Sequence, residues 1–150
     1  KQNDDLHVKW SVPFEPGTLT AVSRKNGKKV LSKTIRTAAE PARIKLTADR
    51  KILHADGHDL AFITVEVSDE QGNLVPGADN QVSFEVTGAA TILGTDNGYQ
   101  ASTESFRGPL RKVYKGKCLV ILQTSRMAGD ISLTAKSGGL VPATIALKTR

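Results

Sequence analysis

The chain has 150 residues, 39% hydrophobic, 24% charged and 5% aromatic, which suits about one packed domain and excludes a disordered, collagen-like or disulfide-rich chain. Its net charge is +6, but the excess sits mostly in residues 1–40, where the basic runs Arg24-Lys25 and Lys28-Lys29 flank an Asn-Gly turn without stacking aromatics, so no nucleic-acid partner is expected. The single cysteine, Cys118, rules out an intrachain disulfide and a Cys-based metal cage, and no stretch approaches the ~20 apolar residues of a membrane helix, so no membrane insertion is expected.

At the N-terminus, Leu6, Val8, Trp10 and Val12 alternate with His7, Lys9 and Ser11, a period of two that predicts a half-buried strand with Trp10 turned into a core. The opening residues contain no hydrophobic signal core. A start at Lys-Gln-Asn-Asp-Asp without an initiator methionine reads as a piece of something longer. Leu19 to Val22 and Val30 to Ile35 flank Asn26-Gly27, the signature of a two-residue hairpin. Thr37-Ala38-Ala39-Glu40-Pro41-Ala42 follows, and Pro41 cannot donate to a ladder, so a boundary is placed there.

Beyond it the alternation resumes. Ile63, Val65 and Val67 flank Thr64 and Glu66; Val82, Phe84 and Val86 flank Ser83 and Glu85; Ile131, Leu133 and Ala135 repeat the pattern, as do Ala143, Ile145 and Leu147. Turn signals stand between them at Asp56-Gly57, Gln71-Gly72-Asn73, Pro76-Gly77, Asn97-Gly98 and Ser137-Gly138-Gly139. Leu119 to Leu122 is apolar throughout and reads as the most enclosed strand. The predicted fold class is all-β: an immunoglobulin-like antiparallel β-sandwich of about seven strands over residues 41–150, preceded by an incomplete β-hairpin unit over residues 1–40. The hairpin unit lacks a partner sheet, so its strands are expected to pair with a second copy of the chain or to fold back on the sandwich.

Several motifs in this order resemble one family. They include Trp10-Ser11-Val12-Pro13-Phe14-Glu15-Pro16-Gly17, Thr37 to Arg50, Ala55-Asp56-Gly57-His58-Asp59-Leu60-Ala61-Phe62, Asp69 to Pro76, Val82 to Gly88, Ile92 to Gly98 and Gly139 to Thr144. Together the chain is similar to the non-catalytic C-terminal region of Bacteroides-type β-galactosidases of glycoside hydrolase family 2. The resemblance implies that residues 1–40 end a fibronectin-like sandwich and that residues 41–150 are a bacterial immunoglobulin-like domain. It also implies that the other domains of one parent chain are the partners, with the catalytic carboxylates on an absent barrel. Such parents are often periplasmic or surface-bound.

The chain's own side chains give no catalytic residue, no cofactor site and no metal site. A retaining glycosidase needs two carboxyl groups about 5 to 5.5 Å apart, one with a raised pKa. Glu66 and Glu85 read as outward strand positions, and Asp49, Asp69, Asp79, Asp96 and Asp130 as turn or strand-end residues. His54, Asp56, His58 and Asp59 cluster in sequence, but the Asp56-Gly57 turn would splay them. Cys118 reads as a buried small hydrophobe, and Ser102, Thr103 and Ser105 lack a neighbouring base. Three aromatics, Tyr99, Tyr114 and Trp10, are the candidate carbohydrate contacts, with Tyr99 in a loop the strongest. The sequence therefore predicts a non-catalytic support domain of a glycosidase. The alternatives are a carbohydrate-binding module with a glycan partner and an immunoglobulin-like surface or adhesion spacer.

Overall fold

A computed structural model describes residues 2–4 and 7–150, with side chains from residue 7 onward. Among these residues the alternating segments form thirteen strands and no helix. The chain divides into two compact units, Lys1–Thr37 and Ala38–Arg150.

In the first unit, β1 (Gln2–Asp4) pairs with β2 (His7–Lys9), and β3 (Thr18–Lys25) pairs with β4 (Lys28–Arg36), all antiparallel. Asn26 and Gly27 both take positive φ, 50° and 75°, as a two-residue turn matched to the strand twist requires. Leu19 faces Ile35 across the hairpin, and the Thr20 and Thr34 hydroxyls hydrogen-bond at 3.0 Å. The base is closed by Thr37 N–H on the Gly17 carbonyl at 2.9 Å and Gly17 N–H on Thr37 Oγ1 at 3.0 Å.

The strand expected from Leu6 to Val12 is shorter than its alternation. Leu6 lies outside the described residues, and among the described residues the ladder ends at Lys9, opposite Gln2. Trp10 is therefore not the core residue expected: it is 64% exposed. Both sheets of the unit have two strands, and the indole lies with Val8, Ala21 and Leu31 around a concavity rather than under a facing layer.

The second unit contains the remaining strands: β5 (Arg43–Ala48), β6 (Ile52–Leu53), β7 (Leu60–Ser68), β8 (Gln81–Gly88), β9 (Ala90–Asp96), β10 (Leu110–Lys112), β11 (Lys117–Thr124), β12 (Gly129–Lys136) and β13 (Ala143–Thr149). One sheet runs β5-β7-β11-β9 and the other β10-β8-β12-β13-β6. With the seven long strands lettered A to G in chain order, the sheets read A-B-E-D and C-F-G, the order of an immunoglobulin constant-type sandwich. Their inner faces supply Ile63, Val65, Val120 and Leu122 from one side and Val82, Phe84, Ile131, Leu133 and Leu147 from the other. Burying each such side chain stabilises the fold by roughly 1.5 to 3 kcal/mol.

Two short strands exceed the predicted seven, and one breaks the antiparallel rule. After β5 the chain leaves its sheet: Asp49 N–H donates to the Phe62 carbonyl at 3.0 Å while Asp49 Oδ1 accepts Phe62 N–H at 2.9 Å. β6 then joins the opposite sheet parallel to β13. Two residues of pairing leave too little alternation to read from sequence.

Leu119 to Leu122 also differs from expectation. Val120 and Leu122 are buried between the sheets, but Leu119 and Ile121 point out of the sandwich and are only half-buried. Strand pleating sends neighbours to opposite faces, so an all-apolar strand carries greasy side chains on both.

Candidate functional site

The longest excursion of the sandwich joins β9 to β10 and carries Tyr99. Its entry is fixed by small polar side chains at Asp96-Asn97-Gly98, where Asp96 Oδ1 accepts Asn97 N–H at 2.7 Å and Gly98 N–H at 3.2 Å. Asn97 Oδ1 accepts Tyr99 N–H at 3.0 Å, and its amide nitrogen donates to the Lys112 carbonyl at 2.8 Å. Glu104 returns the loop to β10 by accepting Lys112 N–H at 3.2 Å.

Arg111 holds the loop from inside. It sits at an inward position of β10, opposite Val82, with its side chain fully buried. Its Nη2 donates to the carbonyls of Thr95 at 2.7 Å and Ser105 at 2.6 Å, and Nε donates to Thr95 Oγ1 at 3.2 Å. Nη1 makes no hydrogen bond and has the Glu104 carboxylate at 3.5 Å as its ionic contact. The guanidinium lies 5.4 Å from the Phe106 ring centre. This cation costs a good deal to desolvate, and the aligned carbonyls offset the cost. Sequence reasoning passed over Arg111, because a charged residue beside Leu110 and Val113 reads as outward.

Tyr114 comes from the next turn, where Lys115 (φ 51°) and Gly116 (φ 75°) reverse the chain and Tyr114 and Lys117 exchange backbone hydrogen bonds of 2.8 and 3.0 Å. The structure brings two of the three candidate aromatics together. Tyr99 and Tyr114 stack at 4.7 Å between ring centres and 27° between planes, 47% and 37% exposed, with Lys115 Nζ 5.3 Å from the Tyr114 ring centre. Trp10 belongs to the other unit. The stacked pair offers an apolar face and phenolic hydroxyls for contact.

The carboxylates singled out by sequence are engaged elsewhere. Glu66 accepts from Lys117 at 2.8 Å and Lys45 at 3.1 Å, and the Lys117 hydrogen bond is the main cause of its lowered pKa. Burial pushes Asp49 up, but Phe62 N–H and Arg50 outweigh it and hold the carboxyl low. Asp69, inaccessible to solvent, accepts from the Asn73 amide, Asn73 N–H and Ala39 N–H; the Asn73 side chain is the leading cause of its lowered pKa. Asp79 is lowered by Lys112 at 2.7 Å. Glu85 pairs with Lys136 at 3.3 Å, and Asp130 is an exposed residue of β12. Every resolved carboxyl shift is downward, the opposite of what a general acid at neutral pH needs.

In the His54 to Asp59 segment the carboxylates serve the turn. Asp56 Oδ1 accepts His58 and Asp59 N–H, both at 2.8 Å, and Asp59 Oδ2 accepts His54 N–H at 2.8 Å. Among the described residues no three His, Cys, Asp or Glu side chains converge as a metal set. Ser102 and Ser105 hydroxyls accept from Glu104 and Arg107 N–H within the loop. Cys118 lies buried on the inner face of β11, where desolvation pushes its thiol up to about 12. At neutral pH that leaves almost no reactive thiolate.

Comparison with known proteins places this geometry. Residues 44–146 match the glycoside hydrolase family 2 C-terminal domain 5, and residues 1–31 match a domain of unknown function, DUF4982. The chain is 54% identical over 140 residues to beta-galactosidase BoGH2A of Bacteroides ovatus, covering 93% of this chain and 16% of that protein. It is 30% identical to a beta-glucuronidase of Formosa agariphila, over 93% of this chain and 14% of that one. Among solved structures, a glycosyl hydrolase family 2 member from Bacteroides cellulosilyticus superposes with a TM-score of 0.87 at 37% identity, over 94% of this chain and 18% of that chain. The chain thus spans about a sixth of the relatives it matches.

Proposed function

Because the chain belongs to the glycoside hydrolase family 2 C-terminal domain 5 family, we propose that its sandwich is a non-catalytic accessory domain of a β-galactosidase-type hydrolase. In this role it supports the parent's catalytic barrel mechanically. The observation that carries the reading is the state of the carboxylates: Glu66, Asp49, Asp69 and Asp79 are each tied to cations or backbone N–H groups and held low. The split between galactosidase and glucuronidase among the relatives concerns the parent's sugar, and the resemblance to BoGH2A favours a galactoside.

Removing residues 38–150 from the parent tests this. Melting temperature is expected to fall by several degrees, with kcat for an aryl galactoside reduced, while the 150-residue chain alone releases no aryl leaving group. An unchanged melting temperature and kcat in the deletion would overturn the support role, and turnover by the isolated chain would overturn its non-catalytic nature.

A second reading is favoured by the stacked, exposed Tyr99 and Tyr114: the loop takes the face of a neutral sugar, as aromatic rings with polar tips do at half-wet sites. It expects the 150-residue chain to be retarded in a galactan-containing gel and Tyr99→Ala to run unretarded. Equal mobility of the two would remove it.

A further inference from the structure

The two sheets of the sandwich are dressed differently on their outer faces. On the five-stranded sheet, the outward positions of β8, β12 and β13 are Ser, Thr, Glu, Gln, Asp and Lys except for Ala146. They interact as a solvated face does: Thr134 and Thr144 hydroxyls meet at 3.0 Å, and Lys136 reaches Glu85 at 3.3 Å. Only its edges carry larger apolar side chains, Ile52 and Leu110.

The four-stranded sheet is the reverse. Phe62 faces Ile121 in register, with Leu119 two residues along the same strand. Leu93, the extra residue where β9 shifts register against β11, lies beside Ile121. Phe62 is 39% and Leu93 47% exposed. Charge surrounds this centre: Lys45, Glu66 and Lys117 form one ion-paired group, and Asp96 stands opposite Leu119 at the end of β9. An apolar centre inside a polar rim is the anatomy of an interface. Strands that read as unbroken apolar runs are those covered on both faces, and β11 is such a run with one face uncovered.

We propose that the outer face of the four-stranded sheet, centred on Phe62, Leu93, Leu119 and Ile121, is the docking surface for another domain of the same parent polypeptide. The occupant follows from proportion. Relatives that contain this domain devote 14 to 18% of their length to the matched region, so on the accessory reading most of the parent polypeptide is covalently tethered to this domain. Tethering raises effective concentration to roughly millimolar, where a modest patch is enough. The buried area is expected at about 600 to 1,500 Å², typical of contacts between domains of one chain. The inference rests on the accessory reading and names the surface through which support is delivered.

The test places a photoreactive benzoylphenylalanine at Phe62 in the full-length parent, with a control at Thr144 on the other sheet. Irradiation is expected to give an intramolecular cross-link from position 62 to a residue of the parent outside these 150, and none from 144. Links from position 62 that stay within these 150 residues, reach only a second copy, or do not form would overturn the proposal. A second measurement uses Phe62→Ser with Ile121→Ser. Both side chains are partly buried in the sheet itself, so the melting temperature of the isolated 150-residue chain is expected to fall by a few degrees, and that of the parent by clearly more. Equal losses in both, or no loss in either, would also overturn it. The deletion of residues 38–150 tests the support role separately, so either idea can fail alone.

Discussion

Arg111→Ala is expected to destabilise the sandwich by about 3 kcal/mol, since it orphans carbonyls that had a charged donor and leaves a cavity where the stem had packed. For a unit of this size that corresponds to a fall of roughly 10 °C in melting temperature. The loss should be local in origin. The guanidinium ties the Thr95 and Ser105 carbonyls together at 2.7 and 2.6 Å. Without it the loop carrying Tyr99 is held only by Thr95 N–H on the Phe106 carbonyl and by the Asn97 and Glu104 contacts to Lys112, and it loosens. The stacked tyrosines give the readout: their near-ultraviolet circular dichroism should weaken in the variant well below its melting temperature. Tryptophan fluorescence is the wrong probe, because Trp10 belongs to the other unit. Arg111→Lys should recover only part of the loss, one ammonium being unable to reproduce the planar fork. Full stability and an intact tyrosine signal in Arg111→Ala would show that the guanidinium does not organise the loop.

Gly88→Ala is expected to cost about 3 kcal/mol or more, because two penalties coincide: a left-handed backbone that L side chains resist, and a collision with main chain. Gly88 ends β8 at φ 91°, and a Cβ there would stand 1.9 Å from the Asp130 carbonyl oxygen. That same oxygen accepts Ala89 N–H at 3.1 Å, so the neighbouring strand cannot move away without losing a bond. Urea unfolding should show a lower midpoint with an unchanged slope. Gly138→Ala is the control, since it has no positive φ and nothing within 4 Å of the added carbon; its midpoint should stay within error of the parent sequence. Equal midpoints for the two variants would refute the steric argument.

These two residues also mark where reading the sequence succeeds and fails. Alternation located β7, β8, β12 and β13, since a half-buried sheet imposes a period of two that little else produces, while β5 and β9 were not singled out. Asn26-Gly27 announced its hairpin because both residues accept positive φ cheaply. Lys115-Gly116 makes a turn with two positive φ values yet went unnoticed, as lysine is no usual occupant of that region. The requirement for glycine at position 88 has no local signal, because it is set by Asp130, a residue distant in sequence. Arg111 was invisible for the same reason: the carbonyls that compensate its burial come from Thr95 and Ser105. Tyr99 and Tyr114 were both candidates from sequence, but their stacking is set by two separate turns. Trp10 was assigned to a core by alternation alone, and alternation says which way a side chain points without saying that anything lies there.

The shortness of β6 and β10 has a bearing on how these molecules behave when crowded. They form the two borders of the five-stranded sheet, two and three residues long, and so expose few free main-chain donors and acceptors. The borders of the other sheet are guarded differently, by the cations Arg43 and Lys45 on β5 and by the irregular step at Leu93 on β9. Short, charged or kinked margins deny a neighbouring chain the template it would need to add itself on. A domain held at high concentration is thereby kept from zipping into fibrils along the borders of either sheet.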